Sequence, residues 1–387
     1  MAQEEPVLID SASYKDGNND GYSPQMLFND SDEVSVYDFD QCRDVNFMKQ
    51  RFLVNRHRCI LFKQARFSPD DIDSSFGEIS AEEKRLQEDL IQRSTEMLHF
   101  ISVGKDYIKQ LLFEGLTAYH GPVMVDLFAA LARGEYPSLT VLSIQFFALS
   151  RPAVLGLVSA LSSPLCKLQQ FSFRMGNINI LDDGYVRADS LQYMLMKAIV
   201  ANPHLQKVDL LVSNLRENVF KEMNKFGRNA INNRIGTLRI CDAPGVAAVS
   251  MGWLRCFRHL HTLALDLCRL KQASFNDLRD RAVQFLPSLV VLRIRHNLFS
   301  YGNRSLNAKR HSVSHLKALQ AVFGIRSVVE FSMSFEPHLT TTSKLKNIVE
   351  LLESKSLFRL NGLPAAYYRG ILNERQLVCL LENNTKT

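Results

Sequence analysis

The sequence predicts an α/β solenoid with parallel strands on its concave face and helices outside. Three observations predict it. An apolar triplet spaced i, i+3, i+5 recurs from residue 108 onward, successive triplets stand about 30 residues apart, and the stretches between them are patterned as helices. The triplets are Ile108-Leu111-Phe113, Leu139-Leu142-Ile144, Leu168-Phe171-Phe173, Leu205-Val208-Leu210, Ile235-Leu238-Ile240, Leu260-Leu263-Leu265, Leu289-Leu292-Ile294 and Val328-Phe331-Met333, with a partial Leu357-Leu360. Their intervals are 31, 29, 37, 30, 25, 29, 39 and 29 residues, so six of the eight fall between 25 and 31. Pro137, Pro203 and Pro287 each stand two residues before a triplet, where proline stops a preceding helix.

The elements follow in chain order. Residues 1–40 hold ten acids against Lys15, a net charge of −9, and are rich in Ser, Asn, Gly and Tyr. That composition predicts an acidic disordered arm, which either solubilises the chain or folds back over a basic face. Residues 41–105 mix apolar and basic side chains over Phe47–Phe67. Ser80-Ala-Glu-Glu83 then makes a capping box for an amphipathic helix running to Phe100. This region reads as a helical N-terminal cap or a small adaptor module. Residues 106–365 carry the repeats, with helical segments at Val123–Ala132, Ser190–Val200, Phe275–Phe285, Ser314–Phe323 and Lys344–Glu353, and 366–387 form a C-terminal cap and tail. The two long intervals predict loops, one over Asn177–Arg187 and one over Ser300–His311.

Two repeats extend the pattern. Leu260-His-Thr-Leu263-Ala-Leu265-Asp-Leu-Cys268-Arg-Leu270 matches L-x-x-L-x-L-x-x-[N/C]-x-L, and Leu289-Val-Val-Leu292-Arg-Ile294-Arg-His-Asn297-Leu-Phe299 matches it with conservative replacements. These residues resemble the leucine-rich-repeat superfamily, and the period resembles its ribonuclease-inhibitor-like and cysteine-containing subclasses. The resemblance implies a horseshoe-shaped leucine-rich-repeat solenoid. It also assigns Cys268 and Asn297 to the structural turn after the strand, where a small polar group bonds backbone that would otherwise be buried unpaired. Proteins of this subclass often carry an F-box that docks a cullin ubiquitin ligase, but neither its Leu-Pro-x-Glu opening nor its later Val-Cys-x-x-Trp pattern occurs in residues 41–105.

Composition bounds the function classes. Hydrophobic residues at 46% and charged residues at 22% exclude wholesale disorder, a collagen-like fibre and a polytopic membrane protein. Seven widely spaced cysteines without a CxxC pair, behind an acidic N-terminus, predict a reducing compartment, cytoplasmic or nuclear. No nucleotide-binding glycine loop, nucleophile elbow or His-Glu-x-x-His motif occurs, and His57 with Cys59 lacks a second cluster to complete a zinc site. The sequence therefore predicts no catalytic residues, no cofactor, no metal and no membrane span.

What remains is the concave strand face. The repeat register turns Arg174, Lys207, Asp209, Arg239, Asp242, Asp266, Arg293, Arg295, His296, Glu330 and Phe335 toward it. Arginine with aromatic side chains is what protein interfaces enrich, while the interspersed aspartates argue against a nucleic-acid groove. The expected function is a non-catalytic scaffold that binds a protein partner with acidic features on this face. The alternatives are a cullin-ligase substrate receptor, a GTPase regulator, and a nucleic-acid binder motivated by the +15 charge of residues 41–387. A charge reversal of Arg239, Arg293 and Arg295 is expected to abolish capture of the partner without unfolding the chain.

Overall fold

A computed structural model describes residues 34–64, 81–146, 150–175, 188–212, 215–226, 234–268, 270, 272–294, 315–333, 359–360 and 363–364. The architecture is α/β, with parallel strands joined by helical connections, consistent with a leucine-rich-repeat-type solenoid. It divides into two compact units, residues 1–205 and 206–387.

In the first unit, β1 (Val34–Asp38), β2 (Cys59–Lys63), β3 (Gln110–Leu116), β4 (Val141–Phe146) and β5 (Gln170–Met175) pair in parallel in chain order. The last three coincide with the first three triplets. The first two correct the sequence boundaries: residues 34–38, assigned to the acidic arm, form an edge strand, and residues 41–105 contribute β2 as well as helices. Register shows why both escaped the repeat search. Ile60 and Phe62 lie opposite Leu111 and Phe113, so the triplet of β2 is His57-Ile60-Phe62, with histidine at its first position. In β1 the matching inward residues are Ser35 and Tyr37. The polar replacements satisfy each other, since Ser35 Oγ lies 2.5 Å from His57 Nδ1. Aromatic stacking supplies the apolar contact instead, running from Phe39 and Tyr37 through Phe62 to Phe113 with ring centroids 5.5–6.2 Å apart.

Helices fill the connections. Helix α1 (Val45–Asn55) is capped by Asp44, whose carboxylate accepts from the backbone N–H of Asn46 and Phe47, and it ends at Arg56 in the left-handed conformation (φ 46°). It buries Val45, Met48 and Phe52. The capping-box helix is α2 (Ala81–Phe100); α3 (Gly121–Ala132), α4 (Arg151–Ser162) and α5 (Ala188–Ala201) follow the next strands. Pro152, which breaks the apolar run of the sequence, stands in the first turn of α4, where its missing N–H costs nothing. Asn202 then ties repeats together. Fully buried, it donates through Nδ2 to the Leu161 carbonyl and accepts through Oδ1 from the N–H of His204 and Leu205.

The second unit contains β6 (Lys207–Val212), β7 (Thr237–Cys241), β8 (Thr262–Asp266), β9 (Val291–Ile294), β10 (Glu330–Met333) and β11 (Arg359–Leu360) in parallel order, with β12 (Leu363–Pro364) antiparallel to β11. β6 to β10 fall on the remaining triplets and β11 on the partial one, while β12 matches none. Helices α6 (Glu217–Lys225), α7 (Gln272–Phe285) and α8 (His315–Phe323) occupy three connections. The 25-residue interval between β7 and β8 is too short for a full helix and carries 3-10 turns at Pro244–Ala248 and Met251–Cys256. Single carbonyls link consecutive strands: Gly236 O accepts from the N–H of His261 and Thr262, His261 O from Val290 and Val291, and Val290 O from Val329 and Glu330. Among the described residues no helix is long and apolar enough to cross a membrane. The loops expected at Asn177–Arg187 and Ser300–His311, the helix expected at Lys344–Glu353 and the C-terminal cap lie outside the described residues.

Candidate functional site

The candidate site is the strand face of the second unit. Inward and outward residues alternate along β6, β7 and β9: Val208, Leu210, Leu238, Ile240, Leu292 and Ile294 are buried, while Lys207, Asp209, Arg239, Val291 and Arg293 keep contact with solvent. Pairing then sets the outward residues in rows. One row is Asp209, Arg239, Ala264, Arg293 and Ser332; the next is Lys207, Thr237, Thr262, Val291 and Glu330; a third brings Leu211, Cys241 and Asp266 together.

Two diagonal ion pairs cross these rows. Arg239 donates from Nε and from a terminal nitrogen to Asp266 Oδ2, at 3.1 and 3.0 Å. Both partners are largely removed from solvent, with side-chain exposures of 18% and 5%. Arg293 meets Glu330 only at 3.7 Å, remains 39% exposed, and its Nε finds no hydrogen-bond partner among the described residues. Lys207 is exposed at the start of β6. Among the described residues the face therefore has a neutralised pair at Arg239–Asp266 and three cations that keep exposure, Arg293, Lys207 and Arg359, the last in register with Glu330 on β11. Val290 and Val329, both exposed and joined by the Val329 N–H to the Val290 carbonyl, add apolar surface at the starts of β9 and β10.

This geometry corrects the expected behaviour of Arg239. Replacing it by Glu sets a second carboxylate against buried Asp266, so the reversal destabilises the fold and is no clean test of binding. The other sequence-predicted residues distribute as follows. Arg174 is half-buried on β5 of the first unit, in register with Gln145. Arg295, His296, Asn297 and Phe335 lie outside the described residues. Cys268 is fully buried, its Sγ 3.2 Å from the Asp266 carbonyl and 3.5 Å from that of Ile240, and burial pushes its thiol well above the ordinary range. Just before it, Leu267 adopts φ 55°, matching Asp242 after β7. Glu330 is an outward position in the repeat register, whereas Val290 and Val329, which precede β9 and β10, are not among the residues the register selects and are found only by their exposure.

Two other clusters bear on chemistry. His120 is fully buried and accepts at Nδ1 from the Thr117 backbone N–H at 3.2 Å. Its proton therefore sits on Nε2 and is donated to Ser94 Oγ at 2.5 Å, while the Ser94 hydroxyl donates to the Ile91 carbonyl. A serine whose proton is committed to backbone is not activated by this histidine. Cys59 is buried with its Sγ 3.4 Å from Gln110 Oε1. Among the described residues no group of three or more His, Cys, Asp or Glu is placed to hold a metal ion.

A scan against protein-family models found no match, and a search of curated proteins found none either.

Proposed function

We propose that this chain is a divergent member of the leucine-rich-repeat superfamily that works as a non-catalytic scaffold, holding a protein partner with acidic features on the strand face of β6–β10. The observation that carries this reading is Arg293. Its terminal nitrogens, which meet Glu330 only at 3.7 Å on a side chain that is 39% exposed, retain donors for a carboxylate on a partner, while its Nε is buried. Lys207 supplies a second cation on the same face, and Val290 with Val329 offers apolar contact at the starts of β9 and β10. Arg239 and Asp266 act in this scheme as scaffold, keeping the row in register.

The test is affinity capture with the full chain and with Lys207→Gln/Arg293→Gln, a pair of changes that leaves the buried ion pair intact and sets no carboxylate against Glu330. A partner retained by the intact chain at low salt should be lost at least tenfold by the double variant, with an unchanged melting temperature. Equal retention by both chains would refute the assignment of this face. Recovery of cullin-ligase adaptors with both forms would instead support the substrate-receptor function.

A further inference from the structure

We propose that the rim where the strands of the first unit begin is a docking surface for the chain's own acidic N-terminal segment, residues 1–33. Arg56 and Arg58 close the turn between α1 and β2, and both are exposed. The Arg58 carbonyl accepts from the N–H of Lys109 at 2.8 Å, which sets exposed Lys109 in the next rim position. None of these three cations forms an ion pair with a carboxylate among the described residues, whereas Lys49, Arg93, Lys105 and Arg133 of the same unit all do. Asp106 is the single acid within residues 53–59 and 105–110. Beside the cations the last turn of α1 exposes Leu53 at 48% and Val54 at 80%, so the rim is both basic and apolar.

Charge complementarity and chain connectivity select the occupant. Val34 pairs with Cys59, and Ser35 bonds His57, so the chain preceding Val34 joins the fold directly beside Arg56-His57-Arg58. That preceding segment holds eight acids against Lys15, a net charge of −7, together with Tyr14, Tyr22, Met26, Leu27 and Phe28. It matches the rim in both charge and apolar character. Reach is no obstacle, since 33 residues extend to roughly 100 Å while Arg58 and Lys109 stand about one strand spacing, ~5 Å, apart. Tethering raises the local concentration of the acids to about the millimolar range, enough for weak exposed ion pairs to act together.

Carbodiimide coupling of the full-length chain tests this, because it joins carboxylates to lysines in direct contact. At low salt, Glu4, Glu5, Asp10, Asp16 and Asp20 should couple to Lys109 at least fivefold more than to Lys167, an exposed lysine that precedes β5. The preference should vanish at about 1 M salt, where the screening length falls to about 3 Å. Arg56→Glu/Arg58→Glu should abolish it and Arg56→Lys/Arg58→Lys should keep it, with both chains giving the melting curve of the original. Equal coupling to Lys109 and Lys167 overturns the proposal. In a mixture of isotopically heavy and light chains, heavy–light products dominating at Lys109 would also overturn it, identifying a second copy as the occupant.

Discussion

At the scale of single residues, the cost of burying polar groups decides what each side chain can do. Arg239 and Asp266 are a pair because each would otherwise be a charge in a largely dry position. Asp266→Ala is expected to destabilise the chain by about 3 kcal/mol, and Arg239→Ala/Asp266→Ala by less than the sum of the single changes. Urea denaturation of the three variants checks this; additive losses would mean that the two side chains are not coupled. His120 makes a second prediction. Burial pulls its pKa down to about 4 from the ordinary 6.5, so the unfolded chain binds a proton more readily than the fold across that window. Its contribution is complete above pH 6.5 and is lost as pH falls toward 4, roughly 3 kcal/mol in all. In His120→Gln the slope of the urea midpoint between pH 7 and pH 5 should be visibly flatter than in the original chain. An unaltered slope would assign acid sensitivity elsewhere.

At the scale of elements, backbone geometry sets where strands bend and stop. β3 shifts register between Phe113 and Leu116, and Gly115 stands inside that bulge at φ 76°. A Cβ on it would meet the Gln64 carbonyl oxygen at 1.8 Å, a backbone atom that cannot swing away. Gly115→Ala should therefore cost at least about 2 kcal/mol, and loss of amide protection should appear first at the β2–β3 pairing. Normal protection there would show that the bulge relaxes freely. β1 and β2 teach a related point about legibility. A search for apolar triplets finds β3 to β10 because their inward positions are aliphatic or aromatic throughout. It passes over β2 because His57 holds the first position, and over β1 because Ser35 is inward. Neither polar residue signals a strand by itself; each becomes tolerable only when the neighbouring strand brings the other within 2.5 Å.

At the scale of the whole molecule, pairing within each unit joins strands to their sequence neighbours, so a local defect should spread along a unit one repeat at a time. Leu263→Ala, at a fully buried position in β8, is expected to cost about 3 kcal/mol. Hydrogen exchange should then rise in β7, β8 and β9 while β1 to β3 keep their protection. Uniform loss across the chain would mean a single cooperative unit. The sequence by itself determined the parallel α/β repeat from β3 onward, the connections capped by proline, and the inward set of strand residues, because these follow from periodicities of two and about thirty that need no knowledge of neighbours. Only the tertiary structure decided which outward charges remain available. Arg239 and Arg293 are equivalent in the repeat pattern, yet one is locked to Asp266 and the other is loosely held by Glu330. Both pairs join neighbouring strands on diagonal rows, but Asp266 is buried and takes two contacts from Arg239 at 3.0 and 3.1 Å, whereas Glu330 is partly exposed and meets Arg293 at 3.7 Å. Cross-strand neighbours lie some thirty residues away in sequence, and charge pairing between them is set by register and burial, which no single repeat contains.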